Sequence, residues 1–151
     1  MSERIETAVL RDFSVSLCRA AGLSADDAAL LTDSILFAEC RGVTSHGLLR
    51  LPQYIARLRS GATASNVPMP FTMESGGTAR LDAQNGLGQL AGRKASDKAE
   101  ELAAEYGVSF VAVANSNHFG TGAWYAIPAA RRGFFAFNIS SAASAMAPHG
   151  A

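Results

Sequence analysis

Cysteine is scarce: Cys18 and Cys40 are the two in 151 residues, and no Cys-x-x-Cys spacing links them. That argues against a zinc ribbon or a dithiol redox pair, and both read as reduced core residues of helical segments. Net charge is lacking too. Thirteen basic residues balance thirteen acidic ones, so no global field draws the chain to nucleic acid or an anionic membrane. Arg41, Arg50, Arg57 and Arg59 cluster locally, but no aromatic platform or base-reading motif accompanies them. Every apolar run is broken by charge well before bilayer length, and the start Met-Ser-Glu-Arg-Ile-Glu carries no apolar signal segment. The expected location is cytoplasmic. The three histidines show no His-x-x-x-His or carboxylate spacing, so no metal site is expected.

With 48% apolar residues the chain can bury a core within the usual size of one domain. Ile5, Val9, Phe13 and Leu17 recur at four-residue steps and predict a first helix ending at Gly22. Ser24 is placed to cap a second helix, with Asp26 and Asp27 in its positive first turn and Ala28, Leu31, Ile35 and Ala38 as its buried stripe. Residues 62–70, rich in proline and alanine, read as a connector. Phe71 to Ser75 and Thr78 to Ala83, separated by Gly76-Gly77, read as a hairpin. Leu87 to Tyr106 is expected to be helical, with Leu90, Ala91, Ala95, Ala99, Leu102 and Tyr106 inward. Val108 to Ala114 is expected to be a strand covered on both faces. A short helix from Ala123 to Arg132, bent at Pro128, and a last strand from Phe134 to Ser140 follow. Three parts result: a helical unit at 1–61, the connector 62–70, and an α/β part at 71–151.

The stretch Arg41 to Gly61 holds the densest chemistry. Leu48, Leu51, Ile55 and Leu58 supply a buried helical face, and His46, Arg50 and Tyr54 form a second series at four-residue steps, expected to share one wall. Pro52 reads as the first residue of the main helix, after a separate turn from Ser45 to Leu51. Arg50 presents paired donors that match a carboxylate; the alternative is an ion pair with Glu39. His46 reads equally as a surface side chain between a capping Ser45 and a hinge Gly47. Tyr54 reads as half-buried packing with its hydroxyl in water, and ranks below the other three.

His118 lies in Asn-Ser-Asn-His-Phe-Gly-Thr-Gly, directly after a buried strand, where ligands collect in open α/β sheets. The asparagines serve equally as turn formers. Gly86-x-Gly88-x-x-x-Gly92 suggests a Rossmann phosphate loop, but the strand before it alternates Ala79, Leu81 and Ala83 with charged Arg80 and Asp82. A first Rossmann strand is buried on both faces, and the next strand here ends at Asn115 rather than at an acidic ribose partner. These glycines read as a turn and the start of a helix.

Arg-Gly-x-x-Ser-His-Gly-x-x-Arg-Leu-Pro-x-Tyr from Arg41 to Tyr54, Ser116-Asn117-His118-Phe119-Gly120, and Ala147-Pro148-x-Gly150 together resemble the malate/L-lactate dehydrogenase family, which includes ureidoglycolate, sulfolactate and diketogulonate enzymes. The resemblance spans nearly the whole chain. Members are much longer, so the chain is expected to be an amino-terminal part of such an enzyme. The implied fold class is α/β: an amino-terminal helical unit packed on a mixed-sheet domain of a non-Rossmann dinucleotide-binding fold. The implied activity is an NAD- or NADP-dependent interconversion of a 2-hydroxy acid and a 2-oxo acid, in a homodimer with active sites near the subunit interface.

Hydride arriving at a ketone carbon builds negative charge on oxygen, and histidine is the side chain suited to supply the proton. In the family one of the two matching histidines is taken as the acid/base. Here His46, His118 and Arg50 are the catalytic candidates; Ser45, Arg50 and Tyr54 line the substrate; His118, Ser141 and Ala142 contact cofactor. The tail departs from the family pattern, with Ala151 where relatives have a second glycine and only serine and alanine where some carry an acidic or asparagine side chain. Two rival readings stand beside this one: an inactive remnant or non-catalytic subunit, and acyl transfer by Ser45 and His46. The second is disfavoured because sequence neighbours rarely face each other.

Overall fold

The computed structural model describes residues 5–141. Helix α1 runs over Thr7–Ala20 and α2 over Ala25–Glu39. The Ser24 hydroxyl accepts the Asp27 N–H at 3.1 Å, filling one of the free donors of the first turn. Ala28, Leu31, Ile35 and Ala38 are all buried, as their spacing requires. Leu31 and Ile35 each contribute roughly 1.5–3 kcal/mol relative to an exposed side chain. Cys18 is buried, but Cys40 is exposed just beyond the end of α2, contrary to its expected core position. α2 has ended there, so the buried stripe has no further turn on which to carry it.

Two 3-10 turns, Thr44–His46 and Leu48–Arg50, lead into α3 at Leu51–Arg59, with Pro52 in its first turn. Leu51, Tyr54 and Leu58 of α3 join Cys18, Leu23, Ala28, Leu31 and Ile35 in one apolar cluster, which Leu87 completes from the later half of the chain.

Strands β1 (Phe71–Ser75) and β2 (Thr78–Asp82) form the expected hairpin, with Gly76 at φ 53° in its turn. β2 then pairs in parallel with β3 (Phe110–Ala114), giving a mixed sheet in the order β1-β2-β3. Between them α4 (Gly88–Tyr106) crosses one face of the sheet and packs Ala91 and Ala95 on Leu81, Ala83 and Met69. The face of β3 away from α4 is open, with Phe110 61% exposed, and even Val113, on the α4 side with Val111, is 38% exposed, where the sequence predicts cover on both faces. An apolar run shows that a strand can be buried twice, but the second layer must come from elsewhere in the fold. Tyr106, in the last turn of α4, is likewise exposed rather than inward.

Helix α5 spans Ala123–Arg131 with Pro128 inside it. Residues 134–140, expected to be a strand, are not one. Phe135, Phe137 and Ile139 do alternate as in a strand, yet all are at least 70% exposed. No described neighbour offers this segment a ladder, and alternation without a hydrogen-bonding partner leaves the backbone irregular. Among the described residues no helix is long and apolar enough to cross a membrane.

Candidate active site

The expected helical wall of His46, Arg50 and Tyr54 does not exist as one helix. Each residue sits on a different element: His46 closes the first 3-10 turn, Arg50 closes the second, and Tyr54 lies in α3. Gly47 separates the two turns, and a Cβ there would run into the Glu39 carboxylate. That carboxylate accepts the Leu48 N–H at 2.8 Å and so anchors the segment to the end of α2. Arg50 is therefore not paired with Glu39. Its Nε donates to the Ser45 carbonyl at 2.7 Å and Nη1 to Gln53 Oε1 at 3.0 Å, and among the described residues it forms no ion pair.

Tertiary structure nevertheless brings the candidates together. The His46 and His118 rings lie 5.2 Å apart, and the Tyr54 and His118 rings 6.1 Å apart. Ser45 Oγ meets His46 Nδ1 at 2.9 Å. Tyr54 is only 5% exposed, and its hydroxyl is not in water: it lies 2.7 Å from His118 Nδ1 and accepts from Gln89 Nε2 at 2.7 Å. A tyrosine on an amphipathic helix usually keeps its hydroxyl wet, and here the two buried partners override that expectation.

The loop after β3 is braced rather than merely turned. Asn115 takes φ 52° and donates to Asp82 Oδ1 at 2.9 Å. Asn117 Nδ2 donates to the Asn85 and Gly86 carbonyls at 2.9 and 3.0 Å, while its Oδ1 accepts from Arg57 Nη2 at 2.9 Å. α3 thus holds the loop through Arg57 and the start of α4 holds it through Asn85 and Gly86. The Gly120 N–H points back to His118 Nδ1 at 3.3 Å. Farther along, the Tyr125 hydroxyl donates to the Phe119 carbonyl. Sequence reasoning does not single out Arg57, Asn85, Gln89 or Tyr125 for the site. The one signal available is a polar Gln89 flanked by buried Leu87 and Ala91.

Gly88 explains why no phosphate loop forms here. A Cβ on it would overlap the carbonyls of Asn117 and His118, so the histidine loop itself occupies the space before α4. Gly92 is similarly pressed by the Tyr125 ring, 2.7 Å from where its Cβ would stand. The pair of glycines serves close packing of the loop and α5 on α4.

A cavity of about 1100 Å³ opens beside these groups, lined by His46, His118, Ser116, Phe119 and residues 134–141 among others. Ser141 is in this lining, whereas Ala142 lies outside the described residues. His118 lines the cavity, and its Nδ1 lies against the buried Tyr54 hydroxyl. Loss of water on that side, then the charges of Arg50 and His46, hold the His118 pKa below the ordinary histidine value of 6.5. Burial raises the Tyr54 pKa, opposed by the Gln89 bond and by Arg50.

The His118 shift has a sign that can be measured. A histidine whose folded pKa is depressed contributes its full stability above its unfolded pKa and loses it as pH falls through the folded value. Stability is therefore expected to decline below about pH 6.5, with His118→Asn removing part of that decline. Denaturant unfolding at a series of pH values checks this. An unchanged pH slope in the variant would contradict the assignment.

The chain matches the model of a family described as malate/L-lactate dehydrogenase over residues 5–151. It is 34% identical to a malate dehydrogenase of Pyrococcus abyssi over 97% of this chain and 41% of that one. It is 35% identical to a (2R)-3-sulfolactate dehydrogenase (NADP(+)) of Chromohalobacter salexigens over 99% of this chain and 45% of the other. Among solved structures, malate dehydrogenase from Pyrococcus horikoshii OT3 superimposes with a TM-score of 0.84 at 32% identity, over 87% of this chain and 38% of that one. The chain spans about two fifths of the length of the curated relatives it matches. The match over nearly every residue, joined to a mixed α/β fold that superimposes on these dehydrogenases, establishes that the chain belongs to the malate/L-lactate dehydrogenase family.

Proposed function

We propose that the intact protein is an NAD- or NADP-dependent oxidoreductase that interconverts a 2-hydroxy acid and a 2-oxo acid, or a close imino analogue. The observation that carries this reading is the convergence of His46 and His118, 5.2 Å apart, with the Arg50 charge bearing on His118. Names among the relatives support the substrate class, since malate and sulfolactate are both 2-hydroxy acids. One relative's name specifies NADP.

Arg50 holds the substrate carboxylate. Its Nη2 has no partner among the described residues, and the guanidinium fork matches two carboxylate oxygens. A bound nicotinamide would supply the hydride in reduction and take it in oxidation, at the carbon that bears the oxygen. His118 presents Nε2–H to the carbonyl oxygen, because the single lone pair of Nδ1 is directed at the Gly120 N–H and the Tyr54 hydroxyl, which share it. A neutral imidazole so held polarises the carbonyl and stabilises the charge that develops on oxygen. His46, with Nδ1 on Ser45, is the group that gives that oxygen its proton in reduction and takes it back in oxidation. Tyr54 acts through His118, and Ser45 through His46.

The nicotinamide end of the cofactor suits the cavity beside His118 and Ser141, with Ala142 as a further proposed contact. The described lining holds no lysine or arginine, so the pyrophosphate relies on other groups. The protein acts as a cytoplasmic homodimer in this reading. A second reading, a non-catalytic subunit or inactive remnant, draws on the open face of β3 and the exposed Phe135, Phe137 and Ile139.

The test is to follow oxidation of NADH and of NADPH with a panel of 2-oxo acids. Oxidation that depends on the acid supports the dehydrogenase. No oxidation with either cofactor across the panel favours the second reading, and ester hydrolysis without cofactor would support acyl transfer instead.

A further inference from the structure

Gln89 is the least expected polar group near the site. It is 1% exposed, sits in the first turn of α4 between buried Gly88 and half-buried Leu90, and its Oε1 has no hydrogen-bond partner among the described residues. A buried acceptor left unpaired is costly, and an apolar side chain would avoid the cost. The other end of the amide is well engaged. Its Nε2 lies 2.7 Å from the Tyr54 hydroxyl, which in turn lies 2.7 Å from His118 Nδ1.

The direction of this chain of bonds follows from its far end. The Gly120 N–H can only donate and has no other partner among the described residues, so the Nδ1 it faces is the unprotonated ring nitrogen. Tyr54 therefore donates its one proton to Nδ1. Its oxygen is then left as an acceptor, and only the NH₂ side of the Gln89 amide can satisfy it. With the amide reversed, Oε1 would face the phenol oxygen and draw the phenol proton away from His118.

We propose that Gln89 is a positioning residue that, through the Tyr54 hydroxyl, holds His118 in the tautomer whose ring proton is on Nε2. The role in catalysis rests on the dehydrogenase reading; the tautomer itself does not. With the one lone pair of Nδ1 taken chiefly by the Tyr54 hydroxyl at 2.7 Å and shared with the Gly120 N–H at 3.3 Å, His118 is a standing hydrogen-bond donor through Nε2 and not a base, which leaves proton exchange to His46. The protons balance: reduction adds one hydride to carbon and one proton, from His46, to oxygen, and His118 ends as it began.

The test is the ring-nitrogen NMR spectrum of intact protein labelled with 15N-histidine, near neutral pH, with His118 assigned by its loss in His118→Asn. Wild type is expected to show unprotonated Nδ1 and protonated Nε2. Gln89→Met keeps the volume, removes the orphan acceptor and the donor together, and is expected to lower the Nε2–H to Nδ1–H ratio roughly fivefold to tenfold, the size of one lost hydrogen bond. Tyr54→Phe should lower it further. A wild-type Nδ1–H tautomer, or a ratio unmoved in Gln89→Met, overturns the proposal.

A measurement on wild type alone guards against a variant that does not fold. The Gln89 side-chain amide protons should exchange slowly with water and cross-relax with Tyr54, and fast exchange overturns the proposal equally. In turnover, Gln89→Met should lower kcat roughly tenfold at unchanged KM for the oxo acid, a part of what a positioned catalytic group supplies. Absence of turnover in wild type would sink the dehydrogenase reading, while the ring spectra still decide this one.

Discussion

His46→Ala in the intact protein is expected to lower kcat for 2-oxo acid reduction by roughly 10²–10⁴-fold, the usual contribution of a positioned general acid. His118→Ala is expected to cost roughly 10²–10³-fold, the range for one donor to a developing oxyanion. The two losses should not add, because the rings sit 5.2 Å apart and act on one oxygen. KM for the acid should change less than kcat in both, since Arg50 still holds the carboxylate. Steady-state kinetics of the two single variants and the double variant checks all of this. If neither single variant slows turnover, the mechanism is wrong.

Gly88→Ala is expected to do comparable damage without touching a functional side chain. The added methyl overlaps the carbonyls of Asn117 and His118, and both neighbours are backbone, which cannot rotate away. Asn117 is tied to Arg57, Asn85 and Gly86, so the loop has little freedom to retreat. Overpacking of this kind costs roughly 1–3 kcal/mol of stability. A displacement of His118 by about 1 Å costs roughly 10²-fold in rate even in molecules that stay folded. Denaturant unfolding measures the first effect and kcat the second. Gly88→Ala with wild-type stability and activity would show that the loop does not rest on α4.

Between these two expected results lies the reason the site is only partly legible in sequence. Residue types and motif spacing point to His46, Arg50 and His118, because few other side chains offer a near-neutral proton or a fork of donors. Their arrangement is another matter. Four-residue spacing implies one wall, and Pro52 marks a separate turn before the helix; the structure has that division, with the turn itself split in two at Gly47. Gln89 gives only the sign of a polar residue between Leu87 and Ala91, which does not say what it will face, and Tyr54 lies 35 positions away in sequence.

Local chemistry carries most of the secondary structure. Apolar period, the Ser24 cap and the Gly76-Gly77 turn act within a few residues, so α1 to α4 and the hairpin follow from neighbouring residues alone. Cover and pairing do not follow. The expected second layer over β3 and the expected strand at 134–140 both need a partner surface, and an alternating or apolar pattern states a demand for one without supplying it. By itself the sequence determined the types of α1 to α4 and of the hairpin strands, and the reactive side chains. Only the tertiary structure decided that α3, the start of α4 and the loop after β3 converge, because the Tyr54–His118, Gln89–Tyr54 and Arg57–Asn117 bonds join residues 64, 35 and 60 positions apart, a separation across which no local periodicity carries information.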